Sequence, residues 1–174
     1  MTDFLIHSST APYIRLAALI IAITMSWYLS HQGAPLRTPD APRGVVSLEL
    51  AWTQACATKV VNAWSAMKDT AVHQVLADFI FIAGYSVLLL CVGLAAERAA
   101  MTAGLFKLAS VAHLAAWGGL LAGAFDCLEN VGLLTMLNGH ISGAVAFATS
   151  LCASVKFILG GITIAVVLVA FVVI

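Results

Sequence analysis

Residues 118–137, GGLLAGAFDCLENVGLLTML, form an apolar helical pattern interrupted by three groups able to do chemistry: Asp126, Glu129 and Asn130. At about 100° per residue, Asn130 lies about 40° to one side of Asp126 and Glu129 about 60° to the other, so the three share one narrow face. Two carboxylates on one face can hold a cation, accept hydrogen bonds from a polar ligand, or divide the roles of acid and base when one has its pKa raised. In a segment otherwise fit for hydrocarbon they cost several kcal/mol unless a partner, a cation or water relieves them. Asp126 and Glu129 are therefore the candidate catalytic pair, and with Asp78 they are the candidate metal ligands.

The rest of the chain is a membrane sequence. Of its 174 residues 62% are hydrophobic and only 9% charged, and the mean hydropathy is +1.04, beyond the range of soluble domains. Eight basic and eight acidic side chains give zero formal charge with no basic run, which excludes nucleic-acid binding and a polybasic lipid anchor. Cys56, Cys91, Cys127 and Cys152 have no ligand spacing and read as small hydrophobes. No cofactor motif is present: Gly118-Gly119 and Gly160-Gly161 follow no strand and read as helix-packing positions, and no GxSxG or paired Cys and His pattern marks a nucleophile.

The expected fold is an all-α integral membrane protein, a four-transmembrane-helix bundle in one domain, with spans at about 13–30, 75–96, 108–137 and 143–174. Residues 1–11 carry a single acid, Asp3. The first span has Arg15 at its start and Trp27 and Tyr28 near its end, as aromatic anchors are placed. We expect it to be retained, because it lacks a charged n-region and Gln32-Gly33-Ala34 makes a poor cleavage site. Between the first two spans lies an extramembrane insertion, 31–74. Gly33, Pro35, Pro39 and Pro42 mark its loop, and 44–67 reads as one extra amphipathic helix with Trp52 and Trp64 in interfacial positions. Glu49 on that helix reads most simply as part of a solvated face.

Arg98 and Lys107, close to span ends in a short connection, fit the positive-inside pattern best and put both termini in the cytoplasm of a multi-pass protein, here expected in a bacterial inner membrane. Counting about 20 residues outward from Arg15, Glu97, Lys107 and Ile174 brings Asp78, Asp126, Glu129 and Lys156 to one depth near the outer boundary. Spans three and four then overshoot into an apolar hairpin that needs cover, which the insertion can supply. Asp78 shares a stripe with Tyr85, Lys156 with Thr149 and Thr163, and span one offers Thr24, Tyr28 and His31. These stripes are expected to line one outward-opening cavity, with Asp78, Tyr85, Asp126, Glu129, Asn130 and Lys156 as ligand-binding residues and Glu49 reaching in from the cap.

Lys156 is the only base within spans two to four. Paired with Asp126 it leaves the other acids to a proton, a metal or a polar ligand. No HxxxH or ExxH spacing supports a metal, and His73 lies about 140° around the helix from Asp78. His113 reads as a hydrogen-bonded structural histidine and His140 as a solvent-exposed one. Small residues at four-residue steps (Ala115, Gly119, Gly123 and Cys127; Ala146, Ser150 and Ser154) suit close helix packing, within the chain or against a second copy or a membrane subunit. In outline alone, a small bundle with acids near one interface resembles membrane sterol isomerases and lipid-modifying proteins, and no residue is carried across from them. Three functions follow: an outward cavity that binds a cation, an amphiphilic small molecule or a membrane lipid; a membrane-embedded enzyme using the paired carboxylates on a lipid; or a structural subunit of a membrane complex.

Overall fold

Helix formation continues well past the apolar stretches. The computed structural model describes residues 11–174, so Asp3 lies outside the described residues. It is 86% helical without a strand. The helices are α1 (Ala11–Gln32), α2 (Val45–Glu49), α3 (Gln54–Ala63), α4 (Lys68–Thr102), α5 (Phe106–Leu137) and α6 (Gly143–Val173), with short 3₁₀ turns at Ala34–Leu36 and Ser65–Met67. Four of them, α1 and α4 to α6, are long and apolar enough to cross a membrane. About 20 residues cross the hydrocarbon, whereas α4, α5 and α6 have 35, 32 and 31. Helix α4 begins earlier than hydropathy implies because Lys68, Asp69, Thr70, His73 and Gln74 are polar yet compatible with helix, and Asp69 in the first turn faces the favourable end of the helix dipole.

The described residues divide into two compact units, 11–22 with Ala83–Ala124 and Lys156–Ile174, and Ile23–Ile82 with Phe125–Val155. The first is held by close helix approach. A side chain at Gly93 would run into Ala116, and one at Gly119 would meet Leu89 and Thr163, so small residues set these contacts. Thr163 Oγ1 donates to Ala115 O across helices at 2.7 Å. His113 Nδ1 lies 3.0 Å from Glu97 Oε2, the hydrogen-bonded arrangement expected of it. Gly160 and Gly161 face open space, so the expectation that they pack a neighbouring helix within the chain is not met.

The second unit contains the insertion. Leu36, Leu48, Val60, Trp64 and Val75 form one buried cluster with Leu133, Met136, Leu137 and Ala146, so the insertion covers the apolar ends of α5 and α6. Its form differs from a single helix over 44–67. Helix α2 ends at Glu49, Trp52 takes φ 56°, and the Thr53 side chain caps α3 by accepting from Cys56 N. Thr53 favours a new helix start over continuation, because its hydroxyl satisfies an end N–H. The unusual Trp52 backbone is fixed by Ser150 Oγ, which accepts from Trp52 N at 2.9 Å, and by the edge of the Phe147 ring, 5.8 Å between centroids. Trp64 is not interfacial: it is 1% exposed and its Nε1–H donates to Leu36 O at 2.8 Å, so the polar tip that would otherwise seek the membrane interface is satisfied inside.

Candidate ligand cavity

The expected shared face on α5 is real. Asp126, Glu129 and Asn130 are 4%, 0% and 2% exposed, while Leu121, Leu128 and Val131 on the remaining surface are largely exposed. Asn130 Nδ2 donates to Asp78 Oδ2 at 2.9 Å, which joins α5 to α4 through a charge-assisted hydrogen bond.

Asn130 and Asp78 lie on the wall of a cavity of about 280 Å³, entirely within the second unit. Glu49 lines it as well and is 8% exposed. That corrects the reading of Glu49 as a solvated residue: α2 turns it inward, where Leu48 anchors the helix in the core. Arg37 and Arg43, both exposed at the cavity wall, complete the charged lining, and Ser30, Gly33 and Gln74 add to it. Gln74 Nε2 donates to Leu29 O at 2.8 Å, tying α4 to the last turn of α1.

The two arginines were missed as site residues because the sequence reading used them only for charge counting. Their placement follows from local turn chemistry. Thr38-Pro39-Asp40-Ala41 closes on itself, with Thr38 N to Ala41 O at 3.2 Å and Ala41 N to Thr38 O at 3.0 Å and to Thr38 Oγ1 at 3.1 Å. Proline followed by aspartate is a strong turn signal, and it could have shown that Arg37 and Arg43 return toward each other. Gly44, at φ 60° and ψ −134°, takes a conformation that L side chains disfavour, and starts α2 beside Arg37. Asp40 also receives Lys59 Nζ at 2.9 Å. This hydrogen bond and charge raise the Lys59 pKa above its usual value, although the pair is solvent-screened.

The remaining candidates are not among the residues lining this cavity. Asp126 and Glu129 belong to the second unit but not to the cavity lining. Tyr85 and Lys156 belong to the first unit, and Lys156 Nζ sits 5.0 Å from the centroid of the Phe157 ring. His73 lines a separate small hollow with Tyr28, Gln32 and Asp69, and His31 stacks on Trp27 at 5.3 Å. Among the described residues no three His, Cys, Asp or Glu side chains are grouped to hold a metal ion. The arrangement therefore suits recognition of a charged polar group: guanidinium donors, carboxylate acceptors and an amide around a volume just under the roughly 300–1,000 Å³ of drug-sized sites.

Among the described residues, fold and cavity define an all-helical structure with four helices fit to span a membrane and a charged recess in one of its two units. No protein family, curated protein or solved structure matches it.

Proposed function

We propose that this is a multi-pass membrane protein whose cavity binds the polar part of an amphiphilic molecule at the outer boundary of the membrane. The observation that carries the reading is the mixed lining of Arg37, Arg43, Glu49, Asp78 and Asn130 beside helices whose exteriors are apolar. Of the charged residues in the lining only Asp78 lies on a helix fit to span a membrane, where an ionisable side chain is costly and marks a functional site by default, while apolar helix exteriors hold the protein in lipid. Glu49 and Asp78 line the cavity whereas Asp126 and Glu129 do not, which supports a reading as recognition over one as acid–base chemistry by the paired residues of α5. In this proposal both termini face the cytoplasm and the insertion lies outside. A cysteine placed at Gly139, in the turn after α5, is expected to react with an impermeant reagent only from the outer side. Labelling only from the cytoplasmic side would reverse the orientation.

Ligand binding is tested by native mass spectrometry of the intact protein purified from its membrane in mild detergent. A bound amphiphile is expected on the wild type and is expected to be lost on Glu49→Gln with Asp78→Asn, provided circular dichroism shows the helices retained. An identical set of adducts on both proteins would count against a cavity ligand.

A further inference from the structure

We infer that the corner between α2 and α3, at Trp52, is a lipid anchor: with Phe147 and Leu151 of α6 it lies in the membrane interface on the side of the α5–α6 turn. The inference rests on the proposed membrane-spanning reading but uses neither the cavity nor its ligand. The side chains that form the anchor all belong to the second unit. Of the two tryptophans expected in interfacial positions, Trp64 is core, whereas Trp52 is 41% exposed.

The backbone presents this ring outward. Trp52 takes φ 56°, rare for a bulky residue, and its N–H donates to Oγ of the fully buried Ser150 at 2.9 Å. The corner is thus tied to α6 by its backbone, while the indole stays at the surface, edge-on to the exposed Phe147 ring. The Trp64 indole N–H donates to Leu36 O, but that of Trp52 has no acceptor among the described residues. A ring set on apolar surface with its N–H available is the side chain that membrane interfaces enrich, because the ring leaves water and the N–H meets headgroup oxygens.

The surroundings suit lipid rather than water. No charged residue stands between Glu49 and Lys59, on α6 before Lys156, or on α5 after Glu129. Near the level where Gly132 meets Thr149, Leu128 and Val131 of α5 and Leu151 of α6 are all exposed. In water such apolar surface is an aggregation liability. In lipid it continues the exposed apolar side chains found farther along α6, such as Ile158 and Ile162. Length agrees. From Ser150 to the end of α6 at Val173 the helix rises about 35 Å, a few ångströms more than the hydrocarbon core of about 30 Å. Ser150, and Trp52 with it, therefore falls in the interface.

The test uses the full chain in lipid nanodiscs, with its four cysteines replaced by alanine and its helices verified by circular dichroism. One nitroxide label is attached at Leu151→Cys, Gln54→Cys, Ile158→Cys or Asn138→Cys. Collisions of each label with oxygen, which concentrates in lipid, are compared with collisions with a water-soluble nickel chelate. The Ile158→Cys label is expected to favour oxygen and the Asn138→Cys label, in the turn, to favour nickel. The anchor requires oxygen to be favoured at Leu151→Cys also, with Gln54→Cys between these extremes. Adding Trp52→Ser is expected to move the Gln54→Cys label toward nickel and leave Ile158→Cys unchanged, whereas Trp52→Tyr, another interfacial aromatic, is expected to keep it in place. Nickel favoured at Leu151→Cys with oxygen favoured at Ile158→Cys overturns the anchor and leaves the spanning helices intact. Nickel favoured at both overturns the membrane reading as well. Spin–spin broadening of the Leu151→Cys label shows a second copy covering this surface and overturns the lipid assignment. A Gln54→Cys label indifferent to Trp52→Ser overturns the role of Trp52.

Discussion

Trp64→Ala is expected to destabilise the protein by about 3–5 kcal/mol, the range for removing a fully buried aromatic side chain. Trp64 is the largest fully buried side chain among the described residues, and it sits in the cluster where the insertion meets Leu133, Met136 and Ala146 of α5 and α6. Its removal leaves a cavity, and it also orphans Leu36 O, the acceptor of its indole N–H. Trp64→Phe separates these effects. The phenyl ring retains much of the volume, and the remaining loss is expected near the 1–3 kcal/mol of an unsatisfied buried polar group plus a small void. Thermal unfolding in a single detergent measures both. Because Leu48 shares that cluster and precedes Glu49, Trp64→Ala is also expected to weaken retention of a cavity ligand. Melting of Trp64→Ala at the wild-type temperature would mean that the insertion is not packed as described.

Gly132→Ala is expected to have the second large effect, at the upper end of the roughly 1–3 kcal/mol typical of overpacking. An added methyl at Gly132 would overlap Thr149 Oγ1. The hydroxyl has little freedom to withdraw, because Thr149 is 3% exposed and its Oγ1 donates to Val145 O at 2.8 Å. Helices α5 and α6 must therefore separate locally, beside the buried Glu129 and Asn130. Thr149→Ala vacates the space the new methyl requires, so the double variant is expected to be more stable than Gly132→Ala alone. The coupling between the two positions measures the contact. Simple additivity of the two single effects would show that the helices do not approach at this point.

The four long helices were legible because membrane spans announce themselves by length and apolarity. The buried polar face of α5 was legible because Asp126, Glu129 and Asn130 stand within five residues of one another in an apolar run, and helical angles place them together. The cover over the α5 and α6 ends was legible from the need to shield an apolar hairpin. Three features were not. Trp64 looks interfacial by composition, and only tertiary packing around Leu36 shows it to be core. The break at Trp52 depends on Ser150, 98 residues away, so no local propensity could reveal it. The sign balance of the site was misread because Arg37 and Arg43 lie in the loop before α2, and counting charges within the spans omits them. Their arrival at the cavity is written in the Thr38-Pro39-Asp40 turn, a local signal whose consequence is long-range. The burial of Glu49 was not legible either, since an acid on an amphipathic helix usually lies on the wet face, whereas Glu49 is turned into the cavity wall.

The most direct test of the cavity as a ligand site is a high-resolution map of the intact protein in a native lipid bilayer disc. The expected result is headgroup-sized density spanning from the Arg37 and Arg43 guanidinium groups to the Glu49 and Asp78 carboxylates, with Asn130 still donating to Asp78. Guanidinium groups folded inward onto those carboxylates, closing the cavity around an internal ion-pair network with no density between them, would contradict the account.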